Sequence, residues 1–354
     1  MRVYVAIPTY RNFGRTIGKT LEALAKQTYQ NFKVLIVYKP FPGDRTLDVI
    51  DEFRDELDIE VVVQNEGYFE EAMNVIFDVS RDYDVVLTLD DDSIPNNRWI
   101  EQHLYMHRSL ERLGLLGGLI EPPLPICGDV KKRLSVRLLA KELLGYYKPL
   151  YGIFDQFISY INDMGLNVCF NKNIIKLTKM NLKTLNQYLS YTLLALSAAY
   201  GLGGCNMSFK SKYVQGFRLP GVTFRGIGYE RALVIHIIKQ GGVTALFNGG
   251  RVIHLERSSL SRPKDVLGRF HRYLEEFIQP YLINMYEKIN LQRLKAYYQF
   301  IKKYSYLKRT PLTIAERIGL SLAIQAIEEG WKPIRMRETI GRIMKEADKY
   351  LANH

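Results

Sequence analysis

The sequence predicts an α/β protein with a mostly parallel central sheet flanked by helices, followed by a helical C-terminal extension. Over the first ninety residues, apolar runs of six or seven residues alternate with segments whose apolar residues recur at helical spacing. A repeated strand–helix–strand order favours a parallel sheet that is covered on both faces. Beyond about residue 262 the alternation stops, and the chain becomes basic, tyrosine-rich and helical in pattern.

The first predicted elements lead to a cluster of acidic residues. We expect strands at residues 3–8, 32–38, 59–64 and 83–89, and helices at 15–27, 46–57 and 69–80. Proline and glycine at 40–43 predict a loop after the second strand. The fourth strand runs directly into Asp90, Asp91 and Asp92. Because ligands of parallel α/β sheets bind beyond the carboxyl ends of the strands, this triplet marks the candidate site.

The middle of the chain has a different pattern. Prolines open a segment at about 121–199, which we interpret as a helical insertion that contains a basic amphipathic helix at 131–144. The insertion either contacts an acceptor or covers the core. Strands at 206–210 and 252–255 and a helix at about 230–240 then complete a catalytic domain over residues 1–261. Residues 262–354 form the helical, basic C-terminal region.

Composition limits the classes of function. With 354 residues, 47% of them hydrophobic and 24% charged, the chain has the composition of a globular protein. Its net charge of +12 favours anionic partners: nucleic acid, an anionic membrane surface or phosphorylated substrates. We expect no nucleic acid, because no helix-turn-helix, zinc finger or stacking motif is present. Three scattered cysteines, with neither a signal peptide nor a spanning segment in the pattern, predict a cytoplasmic protein.

Three adjacent carboxylates at the end of an apolar strand repel one another and lose hydration. A bound cation removes that cost, and oxygen ligands with two alternating carboxylates suit Mg²⁺ or Mn²⁺. The alternative is a solvated turn in which the segment after Asp92 caps the next helix. The triplet alone leaves both interpretations open.

Six segments, taken in order, resemble the inverting glycosyltransferase family 2, which has the GT-A fold. They are residues 5–10, 27–32, 65–67 with 72–74, 89–95, 203–209 and 228–230 with 233 and 241. The fourth is similar to the family's D-x-D segment, and the resemblance extends over about residues 2–260. It implies an inverting glycosyltransferase that moves a sugar from a nucleotide-diphosphate donor to an acceptor hydroxyl with the help of Mn²⁺ or Mg²⁺.

The resemblance also implies roles for individual residues. Asp90 should face the nucleotide and the metal, Asp92 should bind the metal directly, and His254 should complete the ligand set. Glu230 is the expected catalytic base at a position where the family usually has aspartate. The remaining expected nucleotide contacts lie at strand ends: Pro8, Thr9, Tyr10, Asn65 and Asp91.

The end of the second strand departs from the family pattern. Tyr38 and Lys39 stand where two aspartates usually recognise the base and ribose. We expect Tyr38 to stack on the base and Lys39 to meet phosphate, because a lysine cannot accept the hydrogen bonds of a base. The donor nucleotide therefore stays open among UDP, GDP and dTDP.

Two other functions are left open by the sequence. A transferase acting on a polyprenyl phosphate would place the helix at 131–144 on the inner face of a membrane and would need no base. A catalytically silent module would bind the nucleotide sugar without transferring it. The acceptor (glycan, lipid or protein) is also open, as are a peripheral membrane contact and a homodimer formed through residues 313–331.

Overall fold

The computed structural model describes residues 1–121, 189–191, 193–196, 202–255, 263–304 and 311–352. The predicted helix at 131–144 and most of the predicted insertion lie outside these residues. Within the described residues the chain forms two compact units. The first comprises 1–121, 189–191, 193–196, 202–219 and 233–255, and the second comprises 220–232, 263–304 and 311–352.

Two sheets make up the first unit. The strands of the larger sheet are β1 (Val3–Tyr10), β2 (Lys33–Lys39), β3 (Ile59–Val63), β4 (Val85–Leu89), β6 (Leu113–Gly117), β8 (Leu193–Leu196), β9 (Asn206–Lys210) and β10 (Val243–Phe247). Those of the smaller sheet are β5 (Ser93–Pro95), β7 (Ile120–Glu121) and β11 (Val252–His254). The larger sheet has the order β3-β2-β1-β4-β9-β6-β10-β8, and the smaller has the order β5-β11-β7.

Most neighbouring strands of the larger sheet are parallel, as predicted. The exceptions are β9, which is antiparallel to β4 and β6, and β8, which is antiparallel to β10. The predicted strands are therefore confirmed, with ends that shift by one or two residues. The strand β8 lies in the region that we expected to be a helical insertion, so that expectation is wrong for residues 193–196. Its pairing with β10 supplies its backbone hydrogen bonds.

Helices flank this sheet: α1 (Ile17–Ala25), α2 (Thr46–Asp51), α3 (Phe69–Val79), α4 (Trp99–Ser109) and α5 (Tyr229–Lys239), whose first turn belongs to the second unit. Leu21 and Leu24 of α1 are fully buried in the core with β1, β2 and β4. The helix α2 ends six residues before the predicted end at 57. Glu52, Asp55 and Glu56 would stand in its last turns, where negative charge opposes the helix dipole.

The second unit is helical in its described part, which confirms the prediction for the C-terminal region. It contains α6 (Val266–Phe277), α7 (Gln279–Tyr286), α8 (Leu291–Tyr304), α9 (Pro311–Glu328) and α10 (Pro333–Ala352). Ala315, Ala323 and Ala326 of α9 are buried in the unit's own core, next to residues of α6 and α10. The apolar face that suggested a homodimer is thus used within the unit. None of the described helices combines the length and apolar character that a membrane crossing requires.

Candidate active site

The acidic triplet follows β4 at the carboxyl edge of the larger sheet, where two of its carboxylates meet a histidine. The Nε2 atom of His254 lies 3.5 Å from Oδ2 of Asp90 and 3.4 Å from Oδ1 of Asp92. Asp92 and His254 are buried, whereas the side chain of Asp90 is 32% exposed. Asp92 and His254 are 162 positions apart in the sequence, and the fold brings them together. This juxtaposition is the one expected for a metal centre.

Strand pairing explains why the histidine arrives there. The strands β5 and β11 are antiparallel, and their register places His254 opposite Ser93. One residue further, the amide N–H of Leu255 donates to the carbonyl oxygen of Asp92 over 2.8 Å. The backbone of β11 is thus attached directly to the acidic turn. His254 is fixed by the sheet and does not depend on a loop.

The surroundings of the imidazole ring fit a cation. Its Nδ1 atom lies 3.2 Å from the carbonyl oxygen of Leu255, so a proton on Nδ1 would be donated to that oxygen. Nε2 then presents a lone pair to two carboxylates, an arrangement that a cation or a second proton must neutralise. Metal-binding histidines commonly donate their other N–H to a backbone carbonyl in this way. The donor set of two carboxylates and one neutral imidazole therefore suits a divalent ion.

Ser93 supplies a further polar atom on the same side. Residues directly opposite each other in an antiparallel pair share a face of the sheet, so the side chains of Ser93 and His254 do so. The Ser93 side chain is fully buried, and its Oγ has no hydrogen-bond partner among the described residues. A buried hydroxyl without a partner is costly. It is consistent with a ligand or bound water completing the site.

The middle aspartate of the triplet has a different role. Asp91 is 5% exposed, and its Oδ2 accepts a hydrogen bond of 2.6 Å from the hydroxyl of Thr9 at the end of β1. The carbonyl oxygen of Asp91 also accepts a hydrogen bond from Nδ2 of Asn12 over 3.2 Å. These bonds tie the ends of two neighbouring strands together. Thr9 and Asp91 thus shape the turn at the carboxyl edge of the sheet, and their contact with a nucleotide stays a prediction.

The loop after β1 has an unusual backbone. Arg11 and Phe13 have φ angles of 56° and 57°, in the left-handed region that residues with a Cβ seldom occupy. Such conformations cost of order 1–3 kcal/mol each and cluster at functional sites. Asn12, between them, is fully buried. Its Oδ1 accepts hydrogen bonds from the amides of Thr16 and Ile17 at the start of α1, which holds the loop in place.

Aromatic and cationic side chains surround this loop. The rings of Tyr10 and Phe13 each meet Phe41 edge to face, with centroids 5.9 and 5.7 Å apart. The Arg11 guanidinium lies 4.4 Å from the centre of the Phe41 ring. Lys39 contacts the faces of Tyr10 and Tyr68 at 5.5 and 4.8 Å and donates to the carbonyl of Gly67. The cluster combines flat apolar surface, on which a base can stack, with positive charge, which attracts phosphate.

Tyr38 does not lie where base stacking would need it. Its side chain is 5% exposed and packs in the core of the first unit, which leaves no free face for a nucleobase. The pKa of Tyr38 is raised, and burial of the ring is the largest cause of this shift. Tyr38 lies near the end of β2 and shares one face of the strand with Val34 and Ile36 of the same core, as the alternation of side chains requires. The partly exposed rings of Tyr10 and Phe41 take over as the candidate stacking surface.

The other predicted residues are placed as follows. Pro8 lies near the end of β1 and is partly exposed, and Asn65 is exposed just after β3. Lys39 ends β2, opposite Tyr10 in the parallel register. Glu230 lies in the first turn of α5, with a partly exposed side chain, in the second unit. Its role as a base stays a prediction.

Two residues of this region escaped the sequence analysis. The ligand atoms of Asp90, Cys205 and His254 all lie within 4.8 Å of one another. Beside this thiol, the fully buried Asn206 donates from Nδ2 to the carbonyls of Leu119 and Gly250 and accepts from the indole of Trp99. Cys205 and Asn206 belong to the segment 203–209, which the sequence analysis placed among the family-like segments without a role for either residue. Only the strand pairing of β9 shows that they adjoin the acidic turn.

Comparison with known proteins finds a family match in the first part of the chain. Residues 4–122 match the family model described as Glycosyl transferase family 2, and no curated protein matches the sequence. Among solved structures, S. aureus TarS 1-349 in complex with UDP-GlcNAc is similar at 12% identity and a TM-score of 0.49, over 93% of this chain and 92% of that one. The mannosyltransferase PcManGT from Pyrobaculum calidifontis, in complex with GDP-Man and Mn²⁺, is similar at 14% identity and a TM-score of 0.47, over 98% and 86%.

The matched residues 4–122 include β1 to β4 and the whole acidic triplet. The resemblance on which the site was predicted is therefore confirmed for this segment. The mostly parallel sheet with flanking helices agrees with it and bears out the α/β class, while the GT-A fold stays a prediction.

Proposed function

We propose that this chain, which carries a segment of glycosyl transferase family 2 at residues 4–122, is an inverting, metal-dependent glycosyltransferase. It takes the sugar from a nucleotide-diphosphate donor and passes it to an acceptor hydroxyl. The observation that carries the proposal is the position of Asp90, Asp92 and His254. A carboxylate oxygen from each aspartate lies within 3.5 Å of the same imidazole nitrogen at the edge of the sheet.

In this proposal Asp90, Asp92 and His254 bind a divalent ion, Mn²⁺ or Mg²⁺. When bound, the ion neutralises the charge that develops on the departing diphosphate. The backbone hydrogen bond between Leu255 and Asp92 keeps the imidazole and the carboxylate in register. Because Asp92 and His254 are buried, their geometry is set before a ligand arrives.

The nucleotide is proposed to lie on the loops that follow β1 and β2. Tyr10 and Phe41 offer ring surface to the base, while Arg11 and Lys39 carry positive charge beside them. Thr9 and Asp91 hold the two strand ends together through their hydrogen bond. Pro8 on β1 and Asn65 after β3 complete the expected contacts.

Glu230 is the proposed base that takes the proton of the acceptor hydroxyl. A positioned carboxylate contributes about 10²–10⁴-fold to such a step. Its partly exposed side chain lies in the first turn of α5. Glu230→Gln should therefore lower transfer to a hydroxyl by about 10²-fold or more while leaving donor binding intact.

The proposal is tested by following the release of nucleoside diphosphate from UDP-, GDP- and dTDP-sugars with Mn²⁺, with Mg²⁺ and with EDTA. We expect turnover with one donor class, a strict need for the ion, and a loss of at least about 10²-fold in Asp92→Asn. Asp82→Asn is the matched control, because Asp82 is exposed ahead of the opposite end of β4 and the substitution removes the same charge. Equal turnover in EDTA, or in Asp92→Asn, would contradict the proposal.

The same assay separates the two alternatives. A silent binding module would retain the metal-dependent nucleotide binding and release no product from any donor. A polyprenyl-phosphate transferase would turn over with the lipid phosphate and would keep its rate in Glu230→Gln, since a phosphate acceptor needs no base.

A further inference from the structure

Cys205 immediately precedes β9, and the register of the sheet places it beside the acidic turn. The strands β4 and β9 are antiparallel, with Leu89 opposite Asn206. Continuing this register by one residue sets Asp90, the next residue of one strand, opposite Cys205 on the other. Cys205 therefore lies next to the first carboxylate of the acidic turn in the larger sheet, whereas His254 reaches the turn from the smaller sheet.

The distances agree with this placement. Asp90, Cys205 and His254 each contribute one ligand atom, and no two of these three atoms are more than 4.8 Å apart. Ligands of a single ion lie about 2.0–2.3 Å from it, so pairs of them lie about 3–4.5 Å apart. His254 Nε2 is also 3.4 Å from Oδ1 of Asp92, so Asp92 adjoins this three-residue group through the histidine.

Cys205 is held in this position by its neighbours. The residue is 4% exposed. On one side the carbonyl of Gly204 accepts a hydrogen bond of 2.9 Å from the hydroxyl of Thr88, and on the other the Asn206 side chain is bonded to three partners. A ligand that is fixed from both sides loses little conformational freedom when it binds an ion.

We propose that Cys205 is a ligand of the metal centre and gives it a preference for thiophilic ions. The inference rests on the proposed function only in assuming that Asp90, Asp92 and His254 bind a cation. On binding, the S–H bond is broken, the proton passes to the buffer, and a metal–sulfur bond forms. Mg²⁺ favours oxygen ligands, whereas thiolates select softer ions. The centre should therefore bind Co²⁺, Zn²⁺ and Cd²⁺ tightly, Mn²⁺ less tightly and Mg²⁺ weakly.

Cobalt provides a readout that does not depend on activity. Titration of the metal-free protein with Co²⁺ should produce a near-ultraviolet sulfur-to-cobalt charge-transfer band that saturates at one ion per chain. The band should remain in the variant Cys127→Ser/Cys169→Ser, which keeps Cys205 as its only thiol, and disappear in Cys205→Ser. Far-ultraviolet circular dichroism and the thermal midpoint check that each variant is folded.

Affinities provide the second arm. Cys205→Ser should weaken Co²⁺ binding by at least about tenfold, because losing a hydrogen bond behind a metal ligand already costs about 10–100-fold. Mg²⁺ binding should change by less than about threefold, since serine keeps an oxygen in place of the sulfur. If Cys205→Ser does not fold, alkylation of Cys205 in the unmodified protein, followed by peptide mass spectrometry, should be slowed by Co²⁺.

Bound Co²⁺ without the band, a band that persists in Cys205→Ser, or alkylation of Cys205 at the same rate with and without Co²⁺ would overturn the inference. Such a result would leave the proposed function standing if sugar transfer still required Mn²⁺. Conversely, a band in a protein that turns over no donor would retain Cys205 as a ligand and remove the proposed function.

Discussion

The buried side-chain amide of Asn12 connects the loop after β1 to two neighbouring parts of the site. Its Oδ1 accepts from the first amides of α1, while its Nδ2 donates to the hydroxyl of Thr16 and to the carbonyl of Asp91. One side chain thus caps a helix and joins the β1 loop to the acidic turn. The left-handed residues Arg11 and Phe13 on either side depend on this anchor.

Replacing Asn12 by alanine should therefore destabilise the protein measurably. The variant loses its cap on α1 and leaves buried polar groups unsatisfied, which together cost about 2–3 kcal/mol. Urea denaturation would show the loss as a lower midpoint. Asn31→Ala, at an exposed position, is the control and should change the free energy of unfolding by less than about 0.5 kcal/mol. An equal effect of the two substitutions would mean that Asn12 is not an anchor.

A second buried cluster affects the pH dependence of stability. His103 and His107 of α4 both contact the hydroxyl of Ser208, at 2.7 and 2.8 Å. Burial lowers the pKa of each histidine to about 3. Both are therefore neutral in the folded protein at pH values where an unfolded chain would already be protonated.

The sign of the effect follows from this difference. Below the unfolded pKa of about 6.5 the unfolded state binds the protons first, so stability is full above that pH and falls as the pH decreases. Each histidine contributes up to about 1.4 kcal/mol per pH unit once the unfolded state is fully protonated, so the pair gives a loss of about 3 kcal/mol between pH 6.5 and pH 5. Urea denaturation across this range should show the loss, and the variant His103→Gln/His107→Gln should show a much smaller one. A flat profile for the unmodified protein would refute the assignment.

Several site residues could be predicted from the sequence, and others could not. Asp90, Asp92 and His254 were accessible because the resemblance to a family orders them along the chain. Cys205 was not, because its proximity depends on the register between two antiparallel strands that lie more than a hundred residues apart. Tyr38 was misjudged because a residue at a strand end can point either into the core or towards the ligand.

At the scale of elements, the strands β1 to β4 were predictable because continuous apolar runs are typical of buried parallel strands. The strand β6 was missed since Gly114 and Gly117 interrupt its apolar pattern. A Cβ at Gly117 would lie 2.4 Å from a terminal methyl group of Leu202, which would have to shift to make room for it. The helix α4 was also missed. Its buried face includes His103 and His107, which weakens the apolar stripe that normally signals a helix.

The second unit depends on an ion pair that the sequence pattern did not indicate. Glu275 of α6 is fully buried and accepts from the guanidinium of Arg225 at 2.6 Å and from its backbone amide at 3.0 Å. The Arg225 side chain is only 11% exposed. The pair attaches the segment 220–232 to the helices of its own unit.

Removing one charge from this pair should be costly. Glu275→Gln leaves a buried guanidinium without its counterion, which typically costs about 3–5 kcal/mol. The neighbouring Glu276→Gln is the matched control, because Glu276 pairs with Arg272 nearer the surface, and its loss should cost less than about 1 kcal/mol. Chemical denaturation of both variants checks this contrast. Similar losses of unfolding free energy in the two variants would show that the buried pair stabilises the unit no more than the surface pair does.

At the scale of the whole molecule, positive charge and a sheet-edge cation site point towards the same kind of ligand. The net charge of +12 attracts anions generally. Asp90, Asp92 and His254 would favour an anion that binds together with a divalent ion. A nucleotide diphosphate meets both conditions. The central claim is therefore that metal and nucleotide bind as one coupled unit at the end of β4.

Calorimetric titration of UDP, GDP and dTDP into the protein, with Mn²⁺ and with EDTA, tests that coupling most directly. We expect one of the three to bind at least about tenfold more tightly with Mn²⁺, a coupling of about 1.4 kcal/mol or more. The enhancement should vanish in Asp92→Asn and persist in Asp82→Asn. Nucleotide affinity that is the same with and without Mn²⁺, or an enhancement that survives in Asp92→Asn, would contradict the account.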